Sequence, residues 1–274
     1  MAVDPQAIRQ GIHSPIDDWL AFNRVDAFTA RKNLAFVAPL PPRTLMQNTT
    51  GLTDGQAFAG HGCDILAALW QACPTPLNEF ANLLDFGVGV GRLARMFKGF
   101  RGRYIGVDVD ARHVQWVSSA LDHVTAIATR PRHALPLVDG QFDLIISVSV
   151  FTHMNEADQF FYLSELKRVA KPGATLLLTV HGAHALRLGE TQPHVFEMLT
   201  IPRQGLVDAR AAFGGAGFQF ILQHGHLTSR NYDYGITFIS ENYVRREWAK
   251  FFDVVGVRPG AIHGFQDIVV LKAK

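Results

Sequence analysis

Cysteine is nearly absent. The 274 residues hold two, Cys63 and Cys73, too few for a disulfide framework or for a zinc site of thiolates. A reducing compartment is the simplest fit. An excess of charge of one sign is missing as well. Lys and Arg number 26 against 24 Asp and Glu, a net charge of +2, which excludes a tail built to hold nucleic acid by bulk charge. No stretch approaches the roughly 18 uninterrupted apolar residues of a membrane-spanning helix. The opening segment, MAVDPQAIRQGIHSPIDDW, carries acids and lacks the apolar run of a secretory signal. Neither a repeat of fixed period nor a low-complexity tract is visible. What remains is 48% hydrophobic and 18% charged residues, the composition of a globular chain. The expectation is a soluble, cytoplasmic protein that binds neither nucleic acid nor membrane.

Residues 1–59 read as irregular, with turn-rich stretches at Ala38 to Thr44 and Gln47 to Gly55. Trp19, Phe22, Phe28, Leu34, Phe36 and Val37 indicate that part of this segment packs, since disordered chain seldom carries so many large apolar groups. From about residue 61 a regular pattern begins, with Ile65, Leu66, Leu69 and Ala72 at helical spacing. Short apolar runs then alternate with helical patterns: Ala81 to Gly87, Arg103 to Asp108, Val124 to Thr129, Phe142 to Val150 and Ala174 to Val180. Between them, Arg92 to Gly99 reads as a short helix stopped by glycine, and Asp110 and Asn155 as caps of two more. The runs are continuous rather than alternating, as strands of a parallel sheet covered on both faces require. The fold class is therefore a doubly wound α/β sheet. Ser240 caps a last helix. Asp253 to Val257 and Gln266 to Lys274 then suit an antiparallel pair at the sheet edge, with Pro259 and Gly260 in the turn. Residues 183–239, which contain a strand-like Gly217 to Leu227, are too many for a simple connection and read as an insertion.

The first run leads into LLDFGVGVGR, Leu83 to Arg92. Glycines at 87, 89 and 91 let the backbone turn sharply and approach a ligand closely. Strand, glycine turn and helix is how nucleotide-type ligands are held. Asp108 ends the next strand, about 20 residues on, where an acid accepts hydrogen bonds from both hydroxyls of a ribose. A dinucleotide site wants a third glycine where Arg92 stands. Asp85, two residues before the turn, would repel a pyrophosphate and suits a cationic ammonium or sulfonium. Both departures favour S-adenosylmethionine over NAD.

With YIGVDVD (Tyr104 to Asp110), LPLVDGQFDLIISVSVFTHM (Leu135 to Met154) and ELKRVAKPGATLLLTVHG (Glu165 to Gly182) following in order, the chain resembles the class I S-adenosylmethionine-dependent methyltransferases over residues 61–274. Within that family it is similar to bacterial enzymes acting on small molecules and glycans. The resemblance implies a seven-stranded, mostly parallel sheet in the order 3-2-1-4-5-7-6, with strand seven antiparallel. It is expected to carry an N-terminal cap or lid (1–60) and a substrate-side insertion (183–239). The resemblance further implies that Asp85, Gly87 and Gly89 line the methionine part of the cofactor, that Asp108 holds the ribose, that Val109 lies against the adenine and that Ser149 faces the methionine end. The acid that the family often places after strand three is missing from Ala128 to Leu137, and backbone near Arg132 and His133 stands in its place.

An oxygen or nitrogen acceptor must lose a proton, and histidine is the usual base near neutral pH. Of twelve histidines, His153 and His181 follow strands four and five, outside whose carboxyl ends ligands bind in open α/β sheets. The alternative is that both are packing or turn residues. Tyr232 and Tyr234 are candidates for the acceptor pocket, or else surface tyrosines of a polar hairpin. His181, His184, His224 and His226 have no acid–histidine framework around them, so no metal is expected. The reading is methyl transfer to a small molecule or sugar. The alternatives are an NAD-type oxidoreductase and a methyltransferase-like binding module without turnover.

Overall fold

The computed structural model describes residues 2–223 and 232–274. Two compact units make it up, residues 1–129 and 130–274. The first contains α1 (Ile16–Arg24), α2 (Arg43–Thr50), α3 (Gly55–Ala72), β1 (Asn82–Phe86), β2 (Arg103–Asp108), α4 (Ala111–Ala120) and β3 (Val124–Ala128). The second contains β4 (Phe142–Ser147), α5 (Glu156–Val169), β5 (Ala170–Val180), α6 (Ala183–Thr191), α7 (Pro193–Leu199), α8 (Arg203–Phe213), β6 (Phe218–Leu222), β7 (Gly235–Ile239), α9 (Glu241–Glu247), β8 (Phe252–Ile262) and β9 (Gln266–Ala273).

Seven strands form one sheet in the order β3-β2-β1-β4-β5-β9-β8, and β6 and β7 form a separate antiparallel pair. Pairing is parallel for β1–β2, β2–β3 and β4–β5, and antiparallel for β5–β9 and β9–β8. With the inserted pair left out of the count, this is the expected order. The apolar runs are buried as a two-sided sheet demands: Leu83, Leu84, Leu144, Ile145, Ile146, Leu176, Leu177 and Leu178 are all inaccessible to solvent. Each such side chain contributes roughly 1.5–3 kcal/mol of transfer free energy. Among the described residues, no helix is long and apolar enough to cross a membrane.

The N-terminal segment is more ordered than its sequence suggests. Trp19 and Phe22 are fully buried on α1, and the Trp19 indole N–H donates to the Met96 carbonyl at 2.9 Å. Arg95 donates to the Ala38 carbonyl at 2.9 Å, and the Ile12 N–H to that of Lys98 at 2.9 Å. Helix α2 places Met46 in a cluster with Phe58 and Val90 of the glycine-rich turn. The boundary expected at residue 60 falls inside α3. That helix starts earlier because the Asp54 side chain accepts from the Ala57 N–H and caps it.

Other expectations need correction. Arg92 to Gly99 is not an α-helix but holds a single 3-10 turn, Ala94–Phe97. Pro259 and Gly260 lie within β8, at a register shift between Arg258 and Ile262, and the chain reverses at 263–265 instead. The helix that Ser240 caps, α9, ends at Glu247; its apolar pattern of Val244, Trp248, Phe251 and Phe252 suggests a longer one, but Trp248 belongs to a following 3-10 turn and Phe252 to β8. The strand-like Gly217 to Leu227 is a strand over Phe218–Leu222, and its remainder beyond residue 223, with His224 and His226, lies outside the described residues. Within the insertion, α6, α7, α8 and β6–β7 share a core of Leu186, Leu199, Leu206, Ile221 and Phe238. Strand β7 returns to the carboxyl end of β5, where the Ile239 N–H donates to the His181 carbonyl at 2.9 Å.

Candidate functional site

In the first unit, the chain leaves β1 through a turn in which Gly87, Gly89 and Gly91 have φ of 88°, 54° and 78°, left-handed values that favour glycine. The Gly87 and Val88 N–H groups both donate to the Val107 carbonyl of β2, at 2.9 and 3.0 Å. A side chain on Gly89 would lie 3.4 Å from the Thr49 methyl of α2.

Asp108 stands at the end of β2, its side chain 12% exposed. Its Oδ2 accepts the Gly89 N–H and its Oδ1 accepts the Asp110 N–H, each at 2.8 Å. The carboxylate is thus fixed between the glycine turn and the start of α4. Asp110 caps α4 by accepting from the Arg112 N–H. The Arg112 guanidinium holds the Asp110 carboxyl down to about 2. Val109, at 39% exposure, is one of the few large apolar side chains open to solvent.

Asp85 is buried, and the Tyr104 hydroxyl donates to its Oδ2 at 2.7 Å. Burial pushes its carboxyl up to about 7, the Tyr104 hydrogen bond opposes this, and the nearby Asp108 charge adds to it. An acid whose folded value is raised keeps its proton better folded than unfolded. Its contribution to stability is therefore full below the ordinary value near 3.8 and is lost as pH rises to about 7. Asp85→Asn, which cannot ionise, is expected to raise the thermal midpoint more at pH 8 than at pH 5. An equal gap at both pH values would mean that Asp85 ionises as an ordinary surface acid does.

In the second unit, His153 ends a 3-10 turn, Phe151–His153, just after β4. Its Nδ1–H donates to the Gly235 carbonyl of β7 at 2.8 Å, so in the neutral ring Nε2 carries the lone pair. The ring stacks on Tyr234, centroids 4.6 Å apart and planes 13° apart, and meets His181 edge-on at 6.4 Å. His181 follows β5 and is 3% exposed, packed against Phe238 and Phe265. Burial, with the neighbouring His153, pushes its imidazole down to about 3. Its Nδ1 is buried with no hydrogen-bond partner among the described residues. The structure thus brings His153, His181 and Tyr234 together. Next to Tyr234, Asp233 accepts from the Asn155 amide at 3.3 Å, and Tyr232 precedes it.

Ser149, expected near the methionine end, has φ of 60°, a left-handed conformation uncommon for serine and often found at functional sites. Its N–H donates to Thr179 Oγ1 and its hydroxyl accepts from the Gln266 amide, both at 2.8 Å. Arg132 and His133 are engaged locally: the Arg132 guanidinium pairs with Asp158, and His133 Nδ1–H donates to the Pro131 carbonyl at 2.8 Å.

Sequence reasoning missed Thr49, His113 and Asp267. Thr49 Oγ1 is 3.1 Å from His113 Nε2. Asp267 is buried, accepts the Gly260 N–H at 2.8 Å, and is pushed up to about 6 by burial. A signal existed for His113: side chains in the first turn of a helix tilt toward its N-terminus, here toward Asp108.

Residues 84–178 match a family model described as a methyltransferase domain. An uncharacterized methyltransferase of Mycobacterium leprae is 30% identical over 178 residues, 65% of this chain and 61% of that protein. The chain therefore spans about three fifths of the length of this curated relative. Among solved structures, the PH0226 protein of Pyrococcus horikoshii superposes with a TM-score of 0.58 at 15% identity, covering 84% of this chain and 97% of that one. A SAM-dependent methyltransferase of Methanosarcina mazei does so with a TM-score of 0.50 at 15% identity, covering 70% and 91%. At such identities these likenesses speak for the fold. Sheet order, motif order and the matched segment agree: residues 84–178 match a methyltransferase domain, and the sheet has the strand order expected of the class I S-adenosylmethionine-dependent methyltransferases.

Proposed function

We propose that the protein transfers a methyl group from S-adenosylmethionine to an oxygen or nitrogen of a small-molecule or sugar acceptor. The observation that carries this reading is the pair of carboxylates around the glycine-rich turn. Asp108 is fixed by two backbone N–H groups for a ribose diol, and the buried Asp85, held by the Tyr104 hydroxyl, leads into the turn, where a nearby sulfonium would favour its ionised form and a pyrophosphate would oppose it. Asp85, Gly87 and Gly89 would line the methionine part, Val109 the adenine and Ser149 the methionine end. The half-open apolar Val109 suits a flat heterocycle.

Bound S-adenosylmethionine supplies an electrophilic methyl group on a sulfonium. The protein's part is position, exclusion of water and a place for the acceptor's proton. We assign that proton to His153 Nε2, because the Gly235 carbonyl fixes the complementary tautomer. His181, with its imidazole near 3, is a poor base at neutral pH and instead packs the floor beside His153. Tyr234, stacked on His153, and Tyr232 form the wall. Residues 183–239 act on the acceptor side, a role supported by β7 returning to the end of β5. The N-terminal segment, which runs to Asp54, acts as the cap, a role supported by Thr49 lying over Gly89.

The test is incubation of the purified protein with S-adenosylmethionine and a fractionated metabolite extract. One acceptor should gain about 14 Da, a CH₂ for each S-adenosylhomocysteine formed. Binding of S-adenosylhomocysteine without turnover on any fraction would favour the non-catalytic module.

A further inference from the structure

Beside Asp108 stands a histidine that the cofactor reading does not use. His113 lies on the first turn of α4 with its side chain 13% exposed. Its Nε2 is 3.1 Å from Thr49 Oγ1, on the last turn of α2. Thr49 has one hydroxyl proton, and that proton is already committed: Oγ1 donates to the Leu45 carbonyl at 2.9 Å. Toward His113 the hydroxyl can only accept, so His113 Nε2 carries the hydrogen. In the neutral ring Nδ1 is then the acceptor.

That Nδ1 is buried with no hydrogen-bond partner among the described residues, 3.5 Å from Asp108 Oδ1. In the neutral ring these two acceptors, an imidazole lone pair and a carboxylate oxygen 3.5 Å apart, cannot satisfy each other. The other charged groups nearby do not resolve this. Asp110 Oδ2 lies 3.7 Å from Nε2, and Asp110 is itself engaged by the Arg112 guanidinium at 3.0 Å. Two neighbouring acceptors suit a ligand with two neighbouring donors, which is what a vicinal diol presents.

We propose that His113 is a second ribose ligand of the cofactor, taking the hydrogen of one hydroxyl at Nδ1 while Asp108 takes that of the other. Thr49 is a positioning residue: by accepting from Nε2–H it fixes the tautomer, and so the N-terminal helix α2 bears on cofactor affinity without touching the nucleoside's hydroxyls. This rests on the S-adenosylmethionine reading above.

The experiment is calorimetric titration of the full chain with S-adenosylhomocysteine and with its 2′-deoxy and 3′-deoxy analogues. The proteins are wild type, His113→Phe and the near-isosteric Thr49→Val. In wild type, loss of the hydroxyl that faces His113 should weaken binding about 3- to 10-fold. His113→Phe should weaken S-adenosylhomocysteine by a similar factor yet bind that one analogue as wild type does. Thr49→Val should show the same selectivity with a smaller loss. If His113→Phe weakens all three ligands alike, the residue is merely structural and the proposal falls. It falls too if His113→Phe leaves S-adenosylhomocysteine affinity unchanged. Wild type that binds none of the three would instead overturn the cofactor reading itself.

Discussion

Gly89→Val is expected to abolish binding of S-adenosylhomocysteine, a loss beyond about 100-fold, in a protein that still folds. Three costs combine. At φ of 54° a β-branched residue is in a region that costs an ordinary residue about 1–2 kcal/mol and valine more. The added Cβ lies 3.4 Å from the Thr49 methyl, so the two further methyls must enter Thr49's space or the ligand's. Relief by moving the backbone would displace the N–H that holds Asp108 Oδ2 at 2.8 Å. Circular dichroism checks folding and calorimetry checks binding. Wild-type affinity in the folded variant would remove the glycine turn from the cofactor site.

His153→Phe is expected to lower kcat by about 10²–10⁴ while changing cofactor affinity by less than about twofold. Phenylalanine keeps a ring against Tyr234 and removes both the Nδ1–H bond to Gly235 and the proton acceptor at Nε2. His181→Phe, which removes a nitrogen already too weakly basic to accept a proton at pH 7, should cost no more than about tenfold. Once an acceptor is found, steady-state rates with each variant decide the assignment. Near-wild-type turnover in His153→Phe would mean catalysis by proximity alone or an acceptor that is already nucleophilic. A larger loss in His181→Phe would exchange the two roles.

What could be read from the chain before its structure follows a physical line. The parallel strands were legible because burial on both faces makes them continuous apolar runs. The helices behind Asp110, Asn155 and Ser240 were legible because each cap is a side chain that accepts from the helix's own N–H groups. Helices α1, α2, α6, α7 and α8 have no side-chain cap and went unseen. In α3 the cap at Asp54 exists, but Gly55, Gly60 and Gly62 blur its periodicity, and Gly62 is small because a side chain there would come within 2.7 Å of the Arg92 carbonyl.

The site divides the same way. Asp85, the glycines and Asp108 follow from spacing along adjacent strands. His153 was nameable from its place after a strand, but its partner Gly235 is 82 residues away. Thr49 and His113 are 64 residues apart, in a stretch that reads as turn and in the helix that Asp110 caps, and nothing local joins them.

Whether the glycine-rich turn and Asp108 hold S-adenosylmethionine or a dinucleotide is decided by a paired titration of wild type and Asp108→Ala with S-adenosylhomocysteine and with NADH. Wild type should bind S-adenosylhomocysteine and give no heat with NADH. Charge-assisted hydrogen bonds contribute about 1.5–3 kcal/mol each, so Asp108→Ala should lose at least about tenfold in affinity while remaining folded. Binding of NADH without S-adenosylhomocysteine would make this a dinucleotide site, and full affinity in the folded Asp108→Ala variant would move the ribose away from Asp108.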